Sequence, residues 1–326
     1  MKIGKLPENV LKRAVFKQLH TSRDEVLSGA GVGEDCAVMK LAEDEVFVLS
    51  TDPITGTVKD IGSLAVTVTL NDIASSGAEP VGILVTVLLP PEITEPQIRE
   101  MVRQMEEACA ANSVQVMGGH TEVTAAVNQP LISVTGVGKA KENRLLLTSD
   151  AQPGDDIVIT KWIGLEGTSI LAKEHEERLL TRLPRTLVDE AKAFDRYLSV
   201  VPEAGIASAC GIHAMHDVTE GGIFGALWEL AEASGTGLDI DLKRIPIRQE
   251  TIEICEFFGL NPYGLIASGS MLIATVDGTT LVQRLGEAGI EAAVVGKAVK
   301  GNDRIIRNGD EVRYLTPPET DEIYRV

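Results

Sequence analysis

Short runs of branched apolar residues alternate along this chain with stretches whose apolar side chains recur every three to four positions. Glycine or proline closes most of them. That alternation is the pattern of layered α/β structure. Pro7 followed by Val10, Leu11, Ala14 and Val15 predicts an opening helix that ends near His20. A glycine-rich turn from Ser28 to Asp35 precedes two strands, Ala37–Leu41 and Val46–Thr51. Asp60 is placed to cap a helix that runs to about Ser76, where Gly77 supplies a left-handed stop. Val81–Leu89 reads as a buried strand. Thr94-Glu95-Pro96-Gln97 is a capping box that starts a helix reaching about Asn112, and Val114–Met117 and Leu131–Val137 follow as strands.

Ala151-Gln152-Pro153-Gly154-Asp155 interrupts every periodicity, so two domains are expected, residues 1–150 and 151–326. The second begins with a strand at Ile157–Thr160 and helices from Gly167 and over Leu187–Leu198. A strand at Ile212–His216 leads into Gly221-Gly222 and a helix closed by Gly235. Five further segments, Leu238–Leu242, Thr251–Phe258, Met271–Val276, Thr279–Ala288 and Ala292–Val295, alternate strand and helix. Val137-Gly138-Lys139-Ala140 recurs as Val295-Gly296-Lys297-Ala298, which fits two lobes of related design.

The formal net charge is −18, and the excess of acids is 7 up to position 150 and 11 beyond it. Such a field repels phosphate backbones, so nucleic acid is not an expected partner; an anionic ligand would need bound cations. The four cysteines, Cys36, Cys109, Cys210 and Cys255, have neither metal-finger nor disulfide-framework spacing. The opening residues lack a signal-peptide pattern and the longest aliphatic stretch falls far short of the ~20 residues that cross a bilayer. A cytoplasmic protein without membrane association is expected.

Asp35, Asp52, Asp72 and Asp217 fall at predicted strand ends or beside small residues, where carboxylates can share a hard cation with a substrate's phosphates. Read singly, each also fits a turn, a solvated helix position or a cap. The glycines before Asp35 are neither a Walker loop nor a dinucleotide fingerprint. Gly118-Gly119 and Gly221-Gly222 offer amides that an anion could approach.

Five blocks stand in a fixed order: Gly33-Glu34-Asp35-Cys36-Ala37, Ser50-Thr51-Asp52, Asn71 to Pro80, Gly118-Gly119-His120-Thr121 and His216 to Gly222. In that order they resemble the aminoimidazole ribonucleotide synthetase (PurM) superfamily over nearly the whole chain. The nearest branch is the hydrogenase maturation protein HypE, with Asp60–Ala65 and Trp162–Gly167 as further likenesses. The resemblance implies a two-domain α/β (α+β) fold: an N-terminal ATP-binding domain whose strands form a joint barrel in a homodimer, and a C-terminal α/β domain. It implies Asp35, Asp52 and Asp72 as Mg²⁺ ligands, with Glu122 as a further metal ligand. Gly33, Thr51, Asn71, Gly118, Gly119, Gly221 and Gly222 are implied around ATP, and His120 and Asp217 as catalytic groups.

The sequence departs from that branch in three places. It ends Ile323-Tyr324-Arg325-Val326, where HypE carries a cysteine that is carbamoylated and dehydrated. Ala267-Ser268-Gly269-Ser270 stands where HypE and the thiamine-phosphate kinases have an acid, and His120 stands where several relatives have Asp. Selenophosphate synthesis is disfavoured, since the glycine-rich segment holds no Cys and Lys pair. The expected function is an ATP- and Mg²⁺-dependent enzyme that phosphorylates, and in the HypE manner dehydrates, a carboxamide-type or small-molecule acceptor, with a maturation protein as partner. The alternatives are a non-catalytic nucleotide-binding paralogue acting in assembly or regulation, and a small-molecule kinase.

Overall fold

A computed structural model of the chain describes residues 3–31, 36–54, 60–317 and 320–326. Contacts divide it into two units, residues 1–74 with 78–145, and residues 75–77 with 146–326.

In the first unit the described elements are β1 (Gly4–Lys5), α1 (Glu8–Ala14), β2 (Val26–Ser28), β3 (Val38–Met39), β4 (Glu45–Ile54), α2 (Ile61–Ser75), β5 (Glu79–Leu89), α3 (Glu95–Ala111), β6 (Gln115–Val123) and β7 (Leu131–Lys141). Five of the strands form one sheet in the order β1-β6-β5-β7-β4, and β2 and β3 pair separately. β5 and β6 run parallel, whereas β4–β7 and β5–β7 are antiparallel, so the sheet is mixed. The capping box is present as expected: the Thr94 amide donates to Gln97 Oε1 at 2.9 Å, and α3 runs to Ala111. Gly77 takes the left-handed conformation at φ 71° that ends α2.

Helix packing explains two glycines of β7. A Cβ on Gly136 would lie 2.7 Å from a Thr69 methyl, and one on Gly138 2.3 Å from Ile73. The glycines thus let α2 approach the sheet backbone closely. Along β4 the side chains alternate: Val46, Val48, Ser50 and Asp52 are partly covered, while Phe47, Leu49, Thr51 and Pro53 are exposed on the other face.

The second unit contains β8 (Asp156–Thr160), α4 (Leu165–Glu174), α5 (Glu176–Leu179), α6 (Arg185–Lys192), α7 (Val201–Ser208), β9 (Ala214–Asp217), α8 (Gly222–Ser234), β10 (Gly237–Asp241), α9 (Gln249–Phe258), β11 (Met271–Thr275), α10 (Gly278–Glu287), β12 (Ala292–Val299), β13 (Arg304–Asn308) and β14 (Glu311–Tyr314). Seven strands order as β14-β13-β10-β12-β8-β11-β9. Ile157, Ile159, Leu272, Ala274 and Val295 from the sheet meet Ile223, Leu227 and Leu230 of α8 in one buried cluster. The α/β class and two-lobed organisation match the expectation. The helix expected over Leu187–Leu198 is shorter, because α6 ends at Lys192 and residues 193–197 tighten into a 3₁₀ turn. The β13–β14 hairpin has no counterpart in the sequence reading: every residue of β14 is exposed, so its burial carries no apolar alternation.

No helix among the described residues is long and apolar enough to cross a membrane.

Candidate active site

Two of the expected metal-binding acids meet in the first unit. The pleat of β4 puts Ser50 and Asp52 on the face that α2 covers, and α2 brings Asp72 to that face near its end. The Ser50 hydroxyl donates to Asp72 Oδ2. Asp52 is about half-buried beside it, and its Oδ2 is buried with no hydrogen-bond partner among the described residues. Burial is the largest cause that pushes the Asp52 carboxyl up to about 7, followed by its hydrogen bond and charge repulsion with Asp72; Ser50 opposes this. Two carboxylates forced together, one with an orphaned buried oxygen, hold a proton poorly placed for neutral pH. A hard divalent cation suits that pair, because oxygen ligands and negative charge are what it requires. Asn71, fully buried, precedes Asp72 on α2.

Asp35 and Gly33 lie outside the described residues. Among the described residues no three acidic, histidine or cysteine side chains gather tightly enough to hold an ion by themselves.

Glu122 does not join the Asp52–Asp72 pair. The sheet order separates β6 from β4 by two strands, and a row of register partners, Asp52–Val134–Val85–Gly119, spans that distance. Three strand spacings amount to about 14 Å, far beyond the reach of a shared cation. Glu122 instead takes His120 as partner, Oε2 to Nε2 at 3.1 Å, both side chains exposed. Thr51 is also turned away, since adjacent residues of a strand face opposite sides. Its hydroxyl lies 3.1 Å from the Val134 carbonyl and 3.1 Å from the Thr135 hydroxyl.

The glycines have structural reasons of their own. Gly119 sits at φ 153°, and a Cβ there would fall 2.0 Å from the Val85 carbonyl oxygen. Gly118 and Gly119 border a cavity of about 670 Å³ in the first unit. Its walls are mainly apolar, among them Leu11, Val15, Val102 and Met105, with Cys36 and His120 also lining it. No sequence signal announced this cavity, because it arises where α1 and α3 cover β5 and β6 without filling the space.

Asp217, Gly221 and Gly222 belong to the second unit. Asp217 ends β9 and is buried at 7% exposure. Gly221 and Gly222 open α8 with left-handed φ of 80° and 59°. Their amides are used within the chain: Gly221 N–H donates to Asp321 Oδ2 at 2.7 Å and Gly222 N–H to the Thr219 carbonyl at 3.1 Å. A Cβ on Gly222 would lie 2.6 Å from the Tyr263 carbonyl, so the close approach of that loop requires glycine.

Glu166, Ser50 and Asp321 escaped the residue-by-residue reading. Ser50 could have been found from the strand alternation that pairs it with Asp52. Glu166 could not, since its burial is set by residues far away in sequence. Its carboxyl is fully enclosed, and burial pushes it up to about 7; Ser268 opposes the shift, and the charges of Asp321 and Glu220 add to it.

Residues 33–140 match the AIR synthase related protein N-terminal domain, and residues 152–307 match the AIR synthase related protein C-terminal domain. A hydrogenase expression/formation protein of Methanocaldococcus jannaschii is 29% identical over 93% of this chain and 90% of its own length. The carbamoyl dehydratase HypE of Azotobacter vinelandii is 32% identical over 76% of this chain and 72% of its own length. Among solved structures, hydrogenase maturation protein HypE in complex with ATP superposes with a TM-score of 0.78 at 22% identity, covering 98% of this chain and 97% of that one. A HypE–HypF complex gives 0.74 at 24% identity, covering 83% and 90%. These two structures establish the shared fold. With both domain models matched in order and more than two thirds of a HypE sequence covered at over 30% identity, the chain belongs to the AIR synthase-related family, on its HypE-like branch.

Proposed function

We propose that this chain is an ATP- and Mg²⁺-dependent enzyme of the HypE type, acting on a carboxamide group in hydrogenase maturation. The observation that carries the reading is the Asp52–Asp72 pair with its orphaned oxygen. Names of relatives support the same class: one is called a carbamoyl dehydratase, and a solved HypE structure contains ATP.

Asp52 and Asp72 would hold Mg²⁺, with Ser50 fixing the orientation of Asp72 through its hydroxyl. Bound there, the ion would neutralise charge on the triphosphate and on the phosphoryl group in transit. Asp52 has to give up its proton before the ion binds, so the pair is competent only once its shared proton is lost. The apolar cavity bordered by Gly118 and Gly119 would take the nucleotide base, and its walls would exclude water from that end. In the balanced reaction, the carboxamide oxygen attacks the γ-phosphorus, ADP leaves, and the nitrogen loses a proton. Loss of phosphate together with the second N–H proton then leaves a C≡N group.

A homodimer fits the exposed face of the first sheet, where Phe47, Leu49 and Leu84 stand open to solvent beside Thr51 and Thr135. A maturation protein would supply the acceptor, as the HypE–HypF complex suggests by analogy. Cytoplasmic location follows from the same assignment.

The test is ADP release from ATP and Mg²⁺ in the presence of a carbamoylated acceptor. Acceptor-dependent turnover that disappears in Asp72→Ala is expected. No nucleotide binding and no ADP with any carboxamide acceptor would sink the assignment.

A further inference from the structure

Residues Asp321–Arg325 form a short turn in the second unit that bonds to two neighbouring loops. Asp321, 3% exposed, accepts three amide hydrogen bonds: from Gly221 at 2.7 Å, from Ile266 at 3.2 Å and from Ile323 in its own turn at 2.9 Å. The first lies at the start of α8, the second in the loop that leads to Ala267–Ser270. Glu322 adds a contact by accepting from the Asn261 amide at 3.2 Å, and the Tyr324 hydroxyl donates to Glu220 Oε1 at 2.6 Å. Ile323 packs on the apolar cluster that includes Leu171, Ile254 and Leu265.

A second acid lies beside this turn: Gly167, next to Glu166, donates to the carbonyl of Ile266, the residue whose amide Asp321 accepts, at 3.0 Å. Glu166, in the first turn of α4, is 4% exposed, and its Oε2 has no hydrogen-bond partner among the described residues. Among the described residues, the charges of Asp321 and Glu220 act on it, the Tyr324 hydroxyl feels Glu166 in turn, and Ser268 hydrogen-bonds it. None of these groups is positive, and the cation of the turn itself, Arg325, pairs with Glu322 at 3.1 Å. A buried carboxyl facing acids is tolerated while it holds a proton; once ionised it repels Asp321 in a medium that screens poorly.

We propose that residues 321–324 are a proton-operated clasp, docked while Glu166 is protonated and loosened when it ionises, which frees the amide of Gly221 at the start of α8. Burial raises both Glu166 and Asp321, so docking is strongest at acid pH. The raised acid binds more protons docked than released, so docking weakens as pH climbs from the ordinary carboxylate range to about 7 and then levels off. Gly221 is also among the residues that the family resemblance implies around ATP, but the clasp needs no nucleotide and its test is made without one.

Amide hydrogen exchange of the intact chain tests it, with the rates of Gly221, Ile266 and Ile323 referred to the intrinsic rate at each pH. Protection of these three amides should fall between about pH 5 and 7, by up to about tenfold per pH unit from Glu166 alone and more steeply where Asp321 also gives up a proton. The amides of Leu272 and Ile273 inside the sheet should not follow. Glu166→Gln, which imitates the protonated side chain, should keep the three amides protected to pH 8. Asp321→Asn, which keeps an oxygen acceptor without its charge, should reduce the pH dependence. Equal protection at pH 5.5 and 8 in the unaltered protein overturns the proposal, as does an undiminished pH dependence in both variants.

Discussion

Replacing Asp72 by asparagine separates two consequences of the paired carboxylates that a merely structural acid would not separate. Asp52 is displaced from the ordinary aspartate range to about 7. Taken at face value that is about a thousandfold change in proton affinity, or about 4 kcal/mol. Asp52 is only half-buried, so solvent screening reduces the figure, and burial rather than Asp72 is the larger cause. About 1 kcal/mol is a fair share for the neighbouring charge. The sign follows from linkage. Because the raised acid binds its proton more tightly folded than unfolded, it lowers stability progressively as pH rises from about 4 to 7, and the full penalty persists above. Asp72→Asn removes part of that penalty, so the cation-free protein at pH 8 should melt about 2–4 °C higher than the unaltered one. The same substitution takes away a Mg²⁺ ligand, so the rise in melting temperature that Mg²⁺ with ATP gives the unaltered protein should vanish. In the unaltered protein, the apparent Mg²⁺ affinity should increase up to about tenfold per pH unit below 7 and level off above, since Asp52 releases a proton on binding. Thermal melts at pH 6 and 8, with and without Mg²⁺ and ATP, read all three. A lower cation-free melting temperature for Asp72→Asn at pH 8, or a Mg²⁺ response equal to that of the unaltered protein, would refute the reasoning.

Three other outcomes follow from the same structure. Cys36 is exposed in the cavity wall, whereas burial pushes the Cys109 thiol up and Cys255 up to about 12. A maleimide should therefore label Cys36 and the partly exposed Cys210 first, and ATP with Mg²⁺ should slow Cys36 alone, as mass spectrometry of the peptides would show. Gly119→Ala forces a methyl against the Val85 carbonyl at a φ that side chains avoid, and should cost about 3 kcal/mol in urea unfolding of the first unit; unchanged stability would mean that the parallel β5–β6 pair is wrongly placed. Lys161 is buried with Glu203 at 2.5 Å and donates to the Tyr197 and Ser199 carbonyls at 2.7 and 2.6 Å. Lys161→Met should destabilise by about 3–5 kcal/mol by leaving Glu203 charged and unpaired, and Glu203→Gln in the same chain should restore much of it.

The amino-acid order by itself determined the alternation of elements, the capping of α3, the glycine stops at Gly77 and Gly235, and the family, because each depends on local steric rules or on residues quoted in sequence. It also singled out Asp52 and Asp72. It did not reveal which of the candidates would share a place. Thr51 lies next to Asp52 in sequence and faces the other side of the sheet, while Asp72, twenty positions away, comes within reach of Ser50. Glu122 was separated from the pair by strand order alone. The tertiary structure likewise decided that the amides of Gly221 and Gly222 are used inside the chain and that Glu166 is buried among acids. Register, strand order and burial arise from contacts between distant segments, and no local pattern encodes how those segments stack. Chemistry is carried by residue type, and type is visible in the sequence; proximity is carried by topology, and only the folded chain supplies it.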